Sequence, residues 1–373
     1  MKTQSKIDAR YQVATQFITL FDEQKPLLLE CGALLDPVTV AYETYGTLNA
    51  EGTNAILICH ALTANAHAAG YHSSADKTPG WWDSLIGPQR AFDTQKYFVI
   101  CPNILGSCYG TTGPSSINPA TGEPYRLSFP PFTVRDIVTV QKKLLEALGV
   151  NRLAAVCGSS LGGMQVLEWG VSFPEFCEAI IPISTAAKQS AWCIGLNAAA
   201  RAAIMNDPAW HNGCYAHQPC NGLALARMIG MISYRSHEDF EQRFGRARQQ
   251  PAGNRFDPAN LFQIESYLHH QGEKLVQRFD ANTYLYLSRA MDAHDVAFGR
   301  GALPEVLGGV RARVLGLGVS SDVRYPTHEQ KAFVQLCPNA GYAEIESLYG
   351  HDAFLIEFDQ LNRLISDFLQ KRS

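Results

Sequence analysis

At 373 residues, with 46% hydrophobic and 18% charged side chains and a formal net charge of −4, the chain has the material for a sizeable core. That composition excludes a disordered chain, and the mild acidity speaks against nucleic-acid or membrane partners. Residues 1–11 are polar, no window reaches the length of a membrane span, and the 10 cysteines include no CxxC pair. The expectation is a cytoplasmic protein with reduced thiols and no zinc or redox motif.

Residues 13–20 and 38–45 alternate apolar and polar side chains, as an antiparallel starting pair of strands would, with Gly32 in their connection. The unbroken apolar runs 54–60 and 97–102 read as buried central strands, separated by a long loop over 61–87. Residues 103–131 lack periodicity, and a structureless loop of that length is often functional. Thr133 and Asp136 frame a capping box for a helix whose Ile137, Val140, Leu144 and Leu148 share one face. A strand at 153–157, a helix at 161–173 with an apolar side, and a strand at 179–183 follow, so the sheet should be mostly parallel.

Between residues 185 and 300 the pattern turns helical, at 192–205, 222–234, 237–244, 258–269 and 283–291. We read 185–300 as a helical insertion over the sheet edge, with 1–184 and 301–373 forming the core domain. A strand at 314–319, a helix at 327–336 and a strand at 342–346 resume the alternation. An amphipathic helix over 352–369 closes the chain, turning Phe354, Leu355, Phe358, Leu361, Leu364 and Phe368 inward.

Gly158-x-Ser160-x-Gly162 sits between a strand and a helix, the pattern of a nucleophile elbow. So tight a turn strains the serine backbone and leaves no room for side chains two positions away. It lifts the hydroxyl to a helix N-terminus, where partial positive charge favours an oxyanion. The serine needs a base, and the base needs an acid to orient it. In this topology both follow the serine, acid first, on loops after late strands. Asp322 and His351 fill those places, the alternatives being a cap or loop charge for Asp322 and a packing histidine for His351. His269 and His270 lie on a helix, and His211 and His217 in an irregular stretch. The oxyanion hole needs two N–H groups. Leu161 offers one, and Leu62, in the loop after the first central strand, offers the other. His60, His67 and His72 are too irregularly spaced for a metal site.

His60-Ala61-Leu62-Thr63, Gly80-Trp81-Trp82-Asp83, Gly113-Pro114-Ser115-Ser116-Ile117-Asn118-Pro119, the elbow, Leu225-Ala226-Arg227-Met228-Ile229-Gly230 and Tyr349-Gly350-His351-Asp352 together resemble the homoserine O-acetyltransferase family. The match runs through nearly the whole chain in order. The resemblance implies an α/β-hydrolase fold, with a mostly parallel central sheet and a helical lid insertion. It implies acetyl transfer from acetyl-CoA to homoserine in methionine biosynthesis, with a triad of Ser160, Asp322 and His351. Homoserine contacts from Arg227, Tyr234 and Asp352 and a homodimer built through the insertion are implied as well. Acyl-CoA enters as co-substrate, with no bound cofactor or metal.

Homoserine is a zwitterion, so its carboxylate calls for a guanidinium and its ammonium for a carboxylate. Arg227, set in the apolar segment 223–232, suits the first unless it snorkels to the surface. Asp352, beside His351, suits the second. Met231 stands where the family often has histidine, Ser233 replaces threonine, Ser159-Ser160-Leu161 replaces Gly-Ser-Met, and Arg324 stands where an apolar residue is usual. Met231 and Arg324 bear on specificity. Two rivals to acetyl transfer remain: succinyl transfer from succinyl-CoA to homoserine or serine, and hydrolysis by a serine esterase. A succinyl carboxylate would need a cation, with Arg324 and Arg235 the candidates.

Overall fold

The two unbroken apolar runs become the middle of an eight-stranded sheet in the computed structural model, which describes residues 11–371. Its strands are β1 (Gln16–Leu20), β2 (Val38–Tyr45), β3 (Ala55–Cys59), β4 (Phe98–Pro102), β5 (Leu153–Ser159), β6 (Ala179–Ile183), β7 (Arg313–Val319) and β8 (Ala340–Ile345). They lie in the order β1-β2-β4-β3-β5-β6-β7-β8. β1 pairs antiparallel with β2 and β2 antiparallel with β4, and every later pairing is parallel. Every residue of β3 and β6 is buried, as strands covered on both faces require.

Helices cover both faces. α1 (Val134–Ala147), α2 (Leu161–Ser172) and α9 (Thr327–Leu336) pack Val138, Trp169 and Phe333 against one face, with the short α8 (Leu303–Gly308) beside them. α10 (Phe358–Gln370) covers the other with Leu361 and Ile365, joined by Trp82 and Phe92. The Thr133–Asp136 capping box forms as expected. Between β6 and β7 run α3 (Ala191–Met205), α4 (Cys220–Tyr234), α5 (His237–Arg243), α6 (Gln263–Val276) and α7 (Ala281–Asp292). Their apolar residues, among them Ile204, Leu223, Leu275 and Leu287, join one cluster with Leu62, Leu161 and Met164. The helices therefore rest on the C-terminal end of the sheet, where open α/β sheets carry their sites.

Several sequence readings are corrected. α2 is buried all round through Gly170 rather than along one side, and its buried Glu168 is neutralised by Arg135 at 3.2 Å and Arg300 at 2.6 Å. The helix expected at 258–269 begins at Gln263, because the Glu265 carboxylate accepts the Phe262 N–H at 2.7 Å and fixes the start there. The closing helix is broken: Gly350–Leu355 forms a 3-10 turn, Ile356 leaves helical geometry, and α10 begins at Phe358. Its core face is Leu361, Ile365 and Leu369, whereas Leu355 is exposed. α8 and a 3-10 segment at Pro208–Gly213 carried too weak a pattern to be anticipated. Loop 103–131 packs along β2 through bonds such as Thr111 Oγ1 with Ala41 N–H at 3.0 Å. Among the described residues no helix is long and apolar enough to cross a membrane. Residues 1–10 of the polar N-terminal stretch lie outside the described residues.

Candidate active site

Strand β5 ends at Ser159 and α2 begins at Leu161, leaving Ser160 in the turn with φ 57° and ψ −122°. A positive φ on a residue bearing a Cβ is strained, and the surroundings must enforce it. Here the Ser160 N–H donates to Ile183 O at 3.0 Å, and its carbonyl accepts from Thr185 Oγ1 at 3.0 Å. The end of β3 closes in from the side. A Cβ on Gly158 would stand 2.5 Å from the Cys59 carbonyl oxygen, and one on Gly162 only 2.0 Å. Both positions are therefore closed to any side chain.

Asp322, after β7, and His351, after β8, meet: Asp322 Oδ2 and His351 Nδ1 are 2.7 Å apart, and both residues are buried. A carboxylate only accepts, so Nδ1 donates, and in the neutral imidazole Nε2 then presents its lone pair. The other carboxylate oxygen accepts the N–H groups of Arg324 at 2.8 Å and Tyr325 at 2.9 Å, which fixes the acid in place. The turn holding His351 is fixed too. Gly350, at φ 65°, donates its N–H to Ser321 Oγ at 3.0 Å, and a Cβ there would meet the Arg235 backbone at 2.7 Å. Trp82 donates its indole N–H to Phe354 O at 3.0 Å. The Gly-Trp-Trp-Asp motif thus fastens the His351 turn to the loop after β3. His351 Nε2 is buried and has no hydrogen-bond partner among the described residues.

His351 and Ser160 line one cavity of about 460 Å³, and so do Leu62, Arg227, Tyr234 and Asp352. Leu161 stands buried at the head of α2, beside the serine. Among the described residues no acceptor takes the N–H of Leu62 or Leu161. The structure thus brings Ser160, His351, Leu62, Arg227, Tyr234 and Asp352 to one cavity, with Asp322 behind His351 and Leu161 next to the serine. A larger cleft, about 1180 Å³, opens at the opposite end of the parallel strands beside Arg313 and Ala340 and holds none of these groups.

The cavity is rich in cations. Arg227 lies over the Tyr234 ring at 5.4 Å and makes no ion pair among the described residues. Asp352 does have one, with Arg235 Nε at 3.4 Å, although the angle is not that of a hydrogen bond. Burial pushes the Asp352 carboxyl above its usual range, and the charges of Arg235 and Arg227 offset only part of this. Arg324 also lines the cavity. Sequence reasoning placed neither arginine: their chain neighbours give no sign of which way they point.

It also missed a second cluster. Glu43, buried in β2, meets His67 Nδ1 at 3.0 Å and His72 Nε2 at 2.7 Å. The three ligand atoms lie within 4.8 Å of one another, so these are the residues that could hold a metal ion. Each carboxylate oxygen already has two donors, however. Thr15 and His72 serve Oε1, while Tyr45 and His67 serve Oε2.

Residues 54–358 match the alpha/beta hydrolase fold family. Homoserine O-acetyltransferase of Carboxydothermus hydrogenoformans is 51% identical over 351 residues, spanning 92% of this chain and 93% of that one. Among solved structures, homoserine O-acetyltransferase from Bacillus anthracis superposes with a TM-score of 0.89 at 34% identity, over 97% of this chain and 99% of that one. Esterase E22 superposes with a TM-score of 0.88 at 30% identity, over 96% and 100%.

Proposed function

The chain belongs to the homoserine O-acetyltransferase family within the α/β-hydrolase fold, and on that footing we propose that it transfers acetyl from acetyl-CoA to the hydroxyl of L-homoserine through an acyl-serine. The observation that carries this reading is the Asp322–His351 contact with its free Nε2 on the cavity that Ser160 also lines. His351 Nε2 takes the Ser160 proton as Oγ attacks the thioester carbon. The unengaged N–H groups of Leu62 and Leu161 hold the oxyanion. Collapse expels CoA as thiolate, which receives that proton from His351. Homoserine then binds, with its carboxylate on Arg227, its ammonium toward Asp352 and Tyr234 alongside. His351 deprotonates its hydroxyl, the oxygen takes the acetyl group, and the proton returns to Ser160. His351 Nε2 is free of any hydrogen bond among the described residues, which suits this cycle, since catalytic contacts tighten when substrate arrives.

The chain is expected to work in the cytoplasm, in methionine biosynthesis, as a homodimer. Exposed Leu225 and Ile232 on α4 support the last point, and sedimentation at the mass of a single chain would count against it. A second reading, acetyl-ester or thioester hydrolysis, draws on the likeness to an esterase. The test is CoA release from acetyl-CoA with and without homoserine. Release that depends on homoserine and yields O-acetylhomoserine supports the transferase, while equal release without an acceptor supports the hydrolase.

A further inference from the structure

The Leu62 N–H that the acyl transfer calls on belongs to the peptide bond between Ala61 and Leu62. In a planar trans peptide the C=O and N–H point in opposite directions, so whatever holds the Ala61 carbonyl also aims the Leu62 N–H. Two donors hold it. His60 Nδ1 lies 2.8 Å from Ala61 O, and the Ala64 N–H donates to the same oxygen at 3.1 Å, closing a turn over 61–64. The Leu62 N–H is left facing the other way, and no acceptor among the described residues takes it.

The imidazole of His60 is held in a single form. A carbonyl only accepts, so Nδ1 carries the proton, and Nε2 accepts the Ile104 N–H at 3.2 Å from the loop after β4. The residue is 0% exposed, and burial lowers its pKa to about 4, which keeps the ring neutral near pH 7. His60 is not part of the cavity lining, so it reaches the reaction only through the chain. Other side chains anchor the ends of the turn. Gln165, fully buried, donates from Nε2 to His60 O at 3.3 Å and to Leu161 O at 3.1 Å, tying the start of the turn to the residue with the second free N–H. Its own oxygen accepts from Gln141 Nε2 at 2.7 Å, which fixes the amide. Arg278, just beyond α6, donates to Thr63 O at 2.6 Å. Among side chains, the Ala61 carbonyl between these anchors is left to His60.

Resting on the proposed function, we infer that His60 is a positioning residue for the reaction: its Nδ1–H, donated to Ala61 O, aims the Leu62 N–H at the place where the oxyanion forms. Donation into the carbonyl also polarises the peptide, so the N–H becomes a stronger donor as charge builds on the substrate oxygen. The covalent steps are unchanged. Both half-reactions feel the effect, since each passes through a tetrahedral oxyanion.

Two polar variants separate this role from packing. In His60→Asn the amide nitrogen takes the place of Nδ1 and can donate to Ala61 O. In His60→Gln the longer side chain reaches the place of Nε2 and the Ile104 N–H instead. His60→Leu keeps neither contact. CoA release from acetyl-CoA, transfer to homoserine and thermal melting are measured for all three beside the wild type. His60→Leu should lower kcat about 10–100-fold in both half-reactions, short of the ~10²–10³-fold cost of losing an oxyanion donor outright, with the KM for homoserine unchanged. His60→Asn should recover most of that loss and His60→Gln little of it, even where the two melt alike. Three results overturn the inference: His60→Gln as active as His60→Asn, kcat that simply follows melting temperature across the variants, or His60→Leu turning over like the wild type. Should His60→Leu not fold, the comparison of Asn with Gln decides alone. Full-rate thioester cleavage without an acceptor would sink the transferase reading but not this one. Hydrolysis builds the same oxyanion, and the ranking of the variants is then read on it.

Discussion

Two carboxylates in this molecule each hold imidazole nitrogen within hydrogen-bond distance, and only one of them is poised for chemistry. Asp322 meets His351 at 2.7 Å, and Glu43 meets His72 at the same distance and His67 at 3.0 Å. All the difference lies in what the rest of each cluster is doing. Around Glu43 it is the carboxylate that is saturated. The carboxylate takes donors from Thr15, Tyr45 and both histidines, while Tyr45 Oη accepts the N–H groups of Ala68 and Ala69. The outcome is a clamp that holds the loop after β3 against β2. Around His351 the network stays open at Nε2, on a cavity that also reaches a serine at φ 57°. A carboxylate–imidazole contact is thus no mark of a catalytic base. The mark is a buried imidazole, fixed at one nitrogen and open at the other, on a loop that the sheet topology brings to the end of the strand bearing the serine.

The contrast is broken most directly at the nucleophile. Ser160→Ala should lower kcat by about 10⁴-fold or more and leave no acyl-enzyme, since nucleophile and base act as a unit. Intact-mass measurement after mixing with acetyl-CoA checks this, and an acetyl adduct on the variant sinks the assignment. Asp322→Asn keeps the shape but can place a donor against Nδ1, favouring the wrong tautomer. A loss of about 10³–10⁴-fold in kcat is expected. The matching change on the other cluster, Glu43→Gln, should cost far less activity. Equal losses from the two would mean that the place of the Asp322–His351 pair beside the serine is not the deciding feature.

This contrast also explains what was legible in the sequence. Ser160, Asp322 and His351 could be found because each follows a strand of recognisable pattern, and the topology alone puts those loops at one end of the sheet. Glu43 escaped notice because its side chain looks like one polar residue of an alternating strand, with partners contributed from a distant loop. Arg324 could be flagged as unusual, but its burial and its empty surroundings depend on Ser233 and Asn197, which come from the helices between β6 and β7. The break before α10 was hidden for a related reason. The apolar spacing continues through it, and what ends the turn is a tryptophan indole far back in the chain.

Arg227 sharpens the comparison from the substrate side, since it is an open-ended cation as His351 is an open-ended base. Arg227→Ala should raise the KM for homoserine by about 10²-fold, the value of a forked charge-assisted contact. Acylation of Ser160 by acetyl-CoA should be affected much less. Stopped-flow acylation beside steady-state kinetics separates the two, and a parallel fall in both half-reactions would remove Arg227 from the acceptor site.

The smallest effect should come from the Glu43 cluster, and it should appear in stability rather than turnover. Burial alone would raise the Glu43 carboxyl, but donation from His67, His72, Thr15 and Tyr45 outweighs it and holds the pKa down at about 2. The group is thus depressed on folding from its ordinary value near 4.5. Its ionised form stabilises the fold above pH ~4.5, and that contribution is lost as pH falls towards ~2. Glu43→Gln removes the charge while keeping the size, and should cost about 1–3 kcal/mol at pH 7, the range for hydrogen bonds to a charged group. Urea unfolding at pH 7 and again near pH 3 checks both the size and the sign. The gap between wild type and variant should narrow at the lower pH, because below about pH 4.5 the unfolded wild type takes up a proton that the folded carboxylate, held down at about 2, still refuses. A gap that stays constant or widens on acidification would mean that Glu43 is held by shape rather than by charge. The two carboxylate–imidazole clusters would then differ in kind, one held by packing and the other by charge.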